Sequence, residues 1–267
     1  MFGNADVIAA SRKFVCVRID TYESEANEEL VRKLMDGVLV NTTFCLLAPD
    51  GKTTLSHVGR SISGPFASPR GLSRISRRYA PAGDADKALV PDFHSVRSAL
   101  NVASADGRLL VLIVAQEEKV ADIETALRSI AWHDDVAGRF HFDLETDPST
   151  FQDKLDGKVT SGPGIYVVQA DSFGLRGEVL KRMDVDADAE AIRESLLAAN
   201  EQFARTAKPK TYESHVAEGK RKGIYLEMAI PYGEDRDADG KIDADHAKRF
   251  ERARARARRS GNLVPTE

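Results

Sequence analysis

The chain has 267 residues, of which 42% are hydrophobic and 7% aromatic, so it carries enough apolar side chains for folded cores. This composition excludes wholesale disorder, and two modest domains are the better expectation for this length. Lysine and arginine number 38 against 42 acidic residues, which leaves a formal net charge of -4. Such a chain has no general attraction for phosphate backbones or anionic lipid, so we expect no nucleic-acid partner unless a local basic patch forms.

Cysteine content and hydropathy exclude further classes of protein. The two cysteines, Cys16 and Cys45, are too few for a disulfide framework or a four-ligand zinc site, and they form no CxxC motif. The longest apolar run, at residues 109–115, falls well short of the roughly 20 residues that cross a bilayer. The first residues lack the apolar core of a secretion signal, so we expect a soluble protein, cytoplasmic as written. The cell envelope or periplasm is the alternative if a segment precedes Met1.

The first part of the chain has the pattern of a strand, a helix and a hairpin. Residues 14–20 (FVCVRID) are apolar or β-branched almost throughout, which is typical of a parallel strand buried on both faces. A helix is predicted over residues 24–35, with Ser24 as its N-cap. The turn sequence PDGK at residues 49–52 predicts a hairpin that joins strands at 43–48 and 53–58.

A second set of elements follows a predicted linker at residues 61–91, which is rich in Gly, Pro, Ser and Arg and holds one short helix at 72–79. The same order of elements then returns in a longer form that also has a leading helix and strand. The predicted elements are helices at 93–103 and 120–130, strands at 109–115 and 139–145, a short helix at 148–155, hairpin strands at 164–169 and 178–183, and a helix at 192–203. The recurrence favours a duplicated architecture, and two unrelated α/β units are the alternative.

The order strand, helix, strand, helix, hairpin, helix resembles the thioredoxin fold, fully over residues 93–204. Residues 4–80 resemble the same fold from its first active-site helix onward. The phrases DVI, FVCVRID and APDGK in that part of the chain are similar to bacterial thioredoxin-family domains. The resemblance implies an α/β, thioredoxin-like protein whose central mixed sheet is flanked by helices, in two copies with the first partial. It also implies three segments: a partial domain at 1–82, a complete domain at 83–205 and a C-terminal extension at 206–267.

In this family the redox motif follows the leading strand, at a helix N-terminus that lowers the pKa of the attacking thiol. The corresponding residues of the second copy contain no sulfur and are Gln116, Glu117, Glu118 and Lys119. In the first copy the position would precede Met1. The resemblance therefore implies a redox-inactive protein that binds a protein or an extended peptide. The alternative is a thiol-disulfide oxidoreductase whose CxxC lies upstream of Met1.

The family's second mark is a cis-proline before the hairpin strand, facing the redox motif. Pro163 lies at that place, so we predict a cis bond between Gly162 and Pro163, with an ordinary trans turn as the alternative. The resemblance implies a binding surface at Gly162, Pro163, Gln116 and Glu117, where an extended chain would be met by strand addition. The family's strand order would also separate Cys16 from Cys45 by about 9.6 Å, beyond disulfide reach, so each is predicted to be a buried, inert thiol.

An acidic loop near the C-terminus matches the first nine positions of an EF-hand-type calcium loop. The sequence DRDADGKID at residues 235–243 places carboxylates at loop positions 1, 3, 5 and 9 and glycine at position 6. Position 12, where a bidentate glutamate is wanted, is His246. We expect weak calcium binding, and a solvated acidic turn is the alternative. The candidate metal residues are Asp235, Asp237, Asp239, Lys241, Asp243 and His246. We expect that the protein requires no cofactor.

The other candidate features point to surface roles. Residues 248–259 are strongly basic and are predicted to spread around a helix as a solvated tail or to dock on the protein's own acidic surface. Contact with RNA or anionic lipid is the alternative, although Phe250 is the single interleaved aromatic residue that would support it. His141 and Asp143 share one strand face and are predicted to pair. A first copy without its central strand would expose unpaired strand edges, which favours a homo-oligomer formed through that copy. The sequence offers no catalytic constellation of nucleophile and base.

Overall fold

The computed structural model describes residues 5–61, 64–79, 89–156, 162–207, 211–226, 228–261 and 263–264. The chain divides into two compact units. One unit combines the two ends of the chain, Met1–Gly83 and Glu213–Glu267, and the other is the continuous central segment Asp84–Tyr212. Part of the predicted linker at 61–91 lies outside the described residues. No helix among the described residues has the length and apolar character needed to span a membrane.

Three helices form in the N-terminal part of the first unit: α1 (Ala5–Ser11), α2 (Glu25–Leu34) and α3 (Pro69–Ser76). The predicted helix at 24–35 is confirmed as α2, because the Ser24 hydroxyl accepts a hydrogen bond from the Asn27 amide. The helix predicted at 72–79 begins earlier, since Ser68 caps α3 by accepting from the Gly71 amide. α1 and α3 contribute Val7 and Leu72 to a small apolar core.

The buried parallel strand predicted at residues 14–20 is wrong. This segment forms no strand, and Val15, Val17 and Ile19 are exposed to 73%, 72% and 45%. An apolar, β-branched sequence favours an extended backbone, but a strand forms only where a neighbouring strand pairs with it, and none does so in the described residues. The predicted hairpin is present as two isolated bridges, Phe44 with Gly59 and Leu47 with Thr54, rather than as two full strands.

The central unit holds a five-stranded mixed sheet with helices around it. Its elements in chain order are α4 (Val96–Asp106), β1 (Leu109–Val114), α5 (Val120–Ala131), β2 (Phe140–Glu145), β3 (Leu155–Asp156), β4 (Gly164–Ala170), β5 (Gly177–Met183) and α6 (Ala189–Thr206). The strand order is β2-β1-β4-β5-β3. β1 runs parallel to β2 and antiparallel to β4, and β5 runs antiparallel to β4 and parallel to β3.

Strand β1 explains why this sheet is covered on both faces. Its successive side chains alternate between two apolar cores, since Val111 packs with residues of α5 and α6, whereas Leu112 packs with residues of α4. All six residues of β1 are buried. The predicted α/β class, with a mixed sheet flanked by helices, is therefore confirmed for this unit. The helix predicted at 148–155 is wrong in extent, because only a 3₁₀ turn at Pro148–Thr150 forms and β3 follows it.

The C-terminal part of the first unit contains α7 (Tyr212–Lys222), β6 (Tyr225–Leu226), α8 (Ala244–Ser260) and β7 (Leu263–Val264). β6 and β7 form a two-stranded parallel sheet. Ile230 packs in one apolar core with Val31 and Leu39, and a backbone bridge joins Leu39 to Asp235. The segment that follows the central unit therefore completes the core around α2. The duplicated architecture stays a prediction.

Candidate functional site

Four segments meet at one end of the central sheet. Val114, the last residue of β1, pairs with Glu145 at the end of β2 and with Gly164 at the start of β4. Ile165 pairs with Met183 at the end of β5. The residues just beyond these pairs are Gln116–Lys119, Gly162 and Pro163, Asp147, and Asp184–Asp188. We call this region the sheet end; it brings together the binding residues predicted from the sequence, Gln116, Glu117, Gly162 and Pro163.

Two side chains hold the turn that enters β4. The buried Tyr166 donates its hydroxyl proton to the Gly162 carbonyl at 2.7 Å. Arg182, on the neighbouring strand, donates to the Pro163 carbonyl at 2.7 Å and to the Tyr166 hydroxyl at 3.3 Å. The Gly162–Pro163 bond is trans, so the predicted cis bond is wrong. Each carbonyl accepts one such hydrogen bond in this trans turn, so an added peptide strand would have to share it with an internal donor.

The segment after β1 starts a helix without a reactive group. Gln116 precedes a 3₁₀ turn, Glu117–Lys119, which continues directly into α5. Glu117 and Glu118 lie in the first turn, where a carboxylate is favoured by the positive end of the helix dipole. The two cysteines of the chain are Cys16 and Cys45, so the central unit has no thiol at this place.

Carboxylates outnumber cations at the sheet end. The acidic residues there are Glu117, Glu118, Glu145, Asp147, Asp184, Asp186 and Asp188, against Lys119 and Arg182. Glu117, Glu118, Asp184 and Asp186 are exposed and form no ion pair among the residues that the structure describes. The result is a negative surface that fits a positively charged partner.

The acidic loop of the first unit draws three carboxylates together. Asp235, Asp237 and Asp239 offer oxygens that all lie within 4.8 Å of one another. Oxygens on opposite sides of one calcium ion are about 5 Å apart, because each Ca–O distance is about 2.3–2.6 Å. Asp235 is fully buried and accepts hydrogen bonds from the amides of Asp239 (3.2 Å) and Gly240 (2.9 Å). The left-handed φ of 84° at Gly240 makes this tight turn feasible.

An internal cation already neutralises the buried carboxylate of this loop. Arg32 of α2 pairs with Asp235 Oδ2 at 2.6 Å and also contacts Glu28. Burial opposes ionisation of Asp235, but the Arg32 guanidinium and the Gly240 amide outweigh it, so the pKa of Asp235 lies below its ordinary value. The adjacent Glu234 is equally enclosed and pairs with Arg60 and Arg236.

Two of the remaining predicted metal residues, Asp243 and His246, form a separate group with Asp245, and Lys241 is in neither group. Asp243, Asp245 and His246 have ligand atoms within 4.8 Å of one another, but they share no member with the group at Asp235. The Nε2 of His246 lies 3.3 Å from an Arg236 nitrogen. Lys241 contributes its amide to Asp239 Oδ1 at 2.8 Å. The structure thus divides the predicted ligand set into two smaller sites.

A buried carboxyl in the central unit was not identified from the sequence as a site. Asp143 is fully buried on β2, and its Oδ1 accepts from the amides of Phe93 (3.2 Å) and Ser95 (3.3 Å). Burial first, and then a hydrogen bond with Asp92 and the charges of Asp92 and Glu145, raise the pKa of Asp143 to about 9. A polar residue on an otherwise buried strand was the available signal.

The ion pairs near Asp143 differ from the one predicted between His141 and Asp143. His141 pairs with Asp106 at 3.1 Å rather than with Asp143, so that prediction is wrong. Asp92 accepts from the Leu144 amide at 3.1 Å and pairs with His94 at 2.7 Å. The two aspartates therefore attach the segment before α4 to the outer strand of the sheet.

The two thiols differ in their surroundings. Cys45 is half-buried, and burial raises its pKa, which suits an unreactive thiol. Cys16 is exposed, so its predicted burial is wrong for the same reason as the strand that contains it. Neither cysteine is in a disulfide in the part of the chain that the structure describes.

Comparison of the chain with protein-family models, curated proteins and solved structures found no match.

Proposed function

We propose that the central unit is a redox-inactive, thioredoxin-like binding module that takes an extended basic peptide at the sheet end. The observation that carries the proposal is the convergence of Gln116–Lys119, Gly162 and Pro163, and Asp184–Asp188 at one end of the sheet, with an excess of carboxylates. The thioredoxin-like assignment is supported by the place of β1 between β2 and β4 and by the antiparallel β4–β5 hairpin.

Charge rather than strand addition is the proposed source of affinity. The carbonyls of Gly162 and Pro163 already accept from Tyr166 and Arg182, and Pro163 has no amide proton, so this turn does not present the alternating free donors and acceptors that strand addition uses. Glu117, Glu118, Asp184 and Asp186 remain as partners for lysine or arginine side chains. Exposed charges of this kind mainly steer association and select the partner, and binding is expected to weaken as salt is added.

A fluorescence anisotropy titration tests the proposal with two labelled heptapeptides, KVKVKVK and EVEVEVE. The full chain is expected to bind the basic peptide and to discriminate against the acidic one. The double substitution Glu117→Lys and Glu118→Lys should weaken binding by about 10-fold, because it reverses two charges at the site. Asp153→Lys is the matched control, since Asp153 is exposed but follows the 3₁₀ turn at Pro148–Thr150 rather than lying at the sheet end. Equal binding of both peptides would contradict the proposal.

The redox-inactive part of the proposal has its own assay. Insulin reduction by the full chain is expected to stay at background, because Gln116–Lys119 supplies no nucleophilic sulfur. The variant that lacks both Cys16 and Cys45 should behave identically. Turnover that survives in this variant would show that the chemistry has been misplaced.

A second candidate function is weak calcium binding by the acidic loop. The specific observation is the 4.8 Å grouping of Asp235, Asp237 and Asp239 around the turn at Gly240. Arg32 occupies one oxygen of Asp235, so an ion would have to share that carboxylate, which accounts for low affinity. We expect millimolar calcium to raise the melting temperature of the full chain and Asp237→Asn to abolish the rise. Asp245→Asn, in the separate group, should leave the rise intact, and no rise in the unmodified chain dismisses this function.

A further inference from the structure

The cations of residues 248–259 were predicted to spread around a helix. In α8, five of the seven instead lie on one face. An α-helix turns by about 100° per residue, so Lys248, Arg249, Arg252, Arg256 and Arg259 fall within roughly 100° of one another. We call these residues the basic face. Arg254 and Arg258 lie away from it. The basic face extends over about 17 Å of helix at 1.5 Å per residue.

The cations of the basic face have no acidic partner among the described residues. Each of its members is exposed, and none forms an ion pair or hydrogen bond with another side chain in the part of the chain that the structure describes. Asp245, before the first cation, is the one carboxylate of α8 on this face. A protein with a formal net charge of -4 therefore carries a local, strongly positive stripe.

The opposite side of α8 is anchored, so the basic face belongs to a packed helix rather than to a free tail. The ring of Phe250 stacks edge-to-face on Tyr225, with centroids 5.7 Å apart. Ala257 is 2% exposed, and burial raises the pKa of Tyr225 to about 12. These contacts fix which side of the helix faces outward.

We propose that the basic face binds the phosphate backbone of duplex nucleic acid without sequence preference. A duplex carries one negative charge per about 1.7 Å of its axis, so a 17 Å stripe meets a phosphate for each cation. Four of the five cations are arginines, whose planar guanidinium pairs with phosphate oxygens through two hydrogen bonds. Ala253 and Ala255 lie between arginines and are small enough not to obstruct a backbone.

The composition of the face argues against an anionic membrane as the partner. Interfacial helices bury apolar side chains in the lipid while cations contact the headgroups. Phe250, the one large apolar side chain of α8, stacks on Tyr225, and Ala257 is buried. Only the small methyl groups of exposed alanines such as Ala253 and Ala255 lie beside the cations, which is too little apolar surface to insert into lipid.

Binding of a labelled 20-base-pair duplex to the full chain, followed by anisotropy from 25 to about 200 mM salt, tests the proposal. Neutralising four or five phosphates predicts a slope of about -4 for log K against log salt. Arg252→Ala with Arg256→Ala should weaken binding at least about 10-fold at low salt and reduce the slope by about 2. The matched control is Arg258→Ala, an exposed arginine of the same helix outside the basic face.

Thermal unfolding of each variant establishes that the fold is retained, since the substituted side chains are exposed. Unrelated duplex sequences of DNA and RNA should bind with similar affinity. The proposal is overturned if the double variant binds as well as the unmodified chain, or if Arg258→Ala weakens binding as much. It is equally overturned if polyglutamate or phosphatidylserine vesicles bind at the basic face while the duplex does not, because the partner would then be a protein or a membrane.

Discussion

At the scale of single residues, the carboxyl of Asp143 links the stability of the central unit to pH. Its pKa is raised to about 9 by burial and by Asp92 and Glu145, so the folded protein keeps a proton that an unfolded aspartate loses near pH 4. At any pH between about 4 and about 9, folding is therefore accompanied by uptake of a proton at Asp143. The stability that depends on this proton is complete below about pH 4 and is lost as pH rises through about 9.

Asp143→Asn removes this dependence and keeps the acceptor for the amides of Phe93 and Ser95. We expect the variant to match the unmodified protein near pH 4 and to exceed it by several kcal/mol in free energy of unfolding near pH 9, because the pKa of Asp143 differs widely between the folded and unfolded states. Urea unfolding at the two pH values measures the difference. Asp153→Asn, at an exposed position, is the control and should show no such divergence. A destabilised variant at pH 9 would contradict the proposed protonation.

In the first unit, Arg32 stabilises the fold as the counter-ion of the buried Asp235. Arg32→Gln would leave the fully buried Asp235 without its counter-ion, and breaking such a pair costs roughly 3 kcal/mol of unfolding free energy. Calcium should restore part of that loss, because the ion can take the place of the guanidinium. Arg205→Gln is the control, since Arg205 and Glu201 are both exposed and an exposed pair contributes about 0–1 kcal/mol. Equal unfolding midpoints for the two variants would be incompatible with this view.

At the scale of elements, the turn between β4 and β5 depends on close approach to α4. Gly174 has a φ of 67°, and an added Cβ would lie 2.4 Å from the Cα of Asn101. Gly174→Ala is therefore expected to cost about 3 kcal/mol, through both backbone strain and displacement of the turn from the helix. Gly138→Ala shares the strain, with a φ of 77°, but meets open space and should cost about 1 kcal/mol. Chemical denaturation of both variants measures the contrast.

Elements whose partners are local in the sequence could be predicted, and those that depend on distant contacts could not. The apolar run of β1 and the Ser24 cap of α2 are read directly from neighbouring residues. The sequence at 14–20 has the same strand character, but strand character does not specify a pairing partner, and none lies beside it in the described residues. The pairing of Arg32 with Asp235 spans 203 positions, which no local pattern reveals.

For the candidate sites too, the placement of residues could be predicted from the sequence, but geometry that depends on distant contacts could not. Gln116, Glu117, Gly162 and Pro163 lie at one end of the sheet because the order and direction of β1 and β4 place them there, and their role in binding stays a prediction. The isomer of the Gly162–Pro163 bond depends instead on hydrogen bonds from Tyr166 and Arg182, which the sequence does not show. Four of the six arginines of α8 share a face because of their spacing, and the burial of Ala257 and the contact of Phe250 with Tyr225 show that this face is outward.

At the scale of the whole molecule, continuity of chain distinguishes the two units. The central unit, Asp84–Tyr212, is one uninterrupted segment with both apolar cores of its sheet. We expect this segment, expressed alone, to unfold cooperatively in urea. The other unit needs both ends of the chain, so a fragment that ends at Gly83 should lack the packing of Ile230 against Leu39 and be far less protected from proteolysis. A central fragment without a cooperative transition would contradict this division.

The most direct test of the central claim is hydrogen–deuterium exchange of the full chain at saturating KVKVKVK. We predict slower exchange of the backbone amides at residues 116–119 and 184–188. Residues 171–176, the turn at the opposite end of β4 and β5, should be unchanged. Protection of that opposite turn, or binding without any protection at the sheet end, would contradict the account.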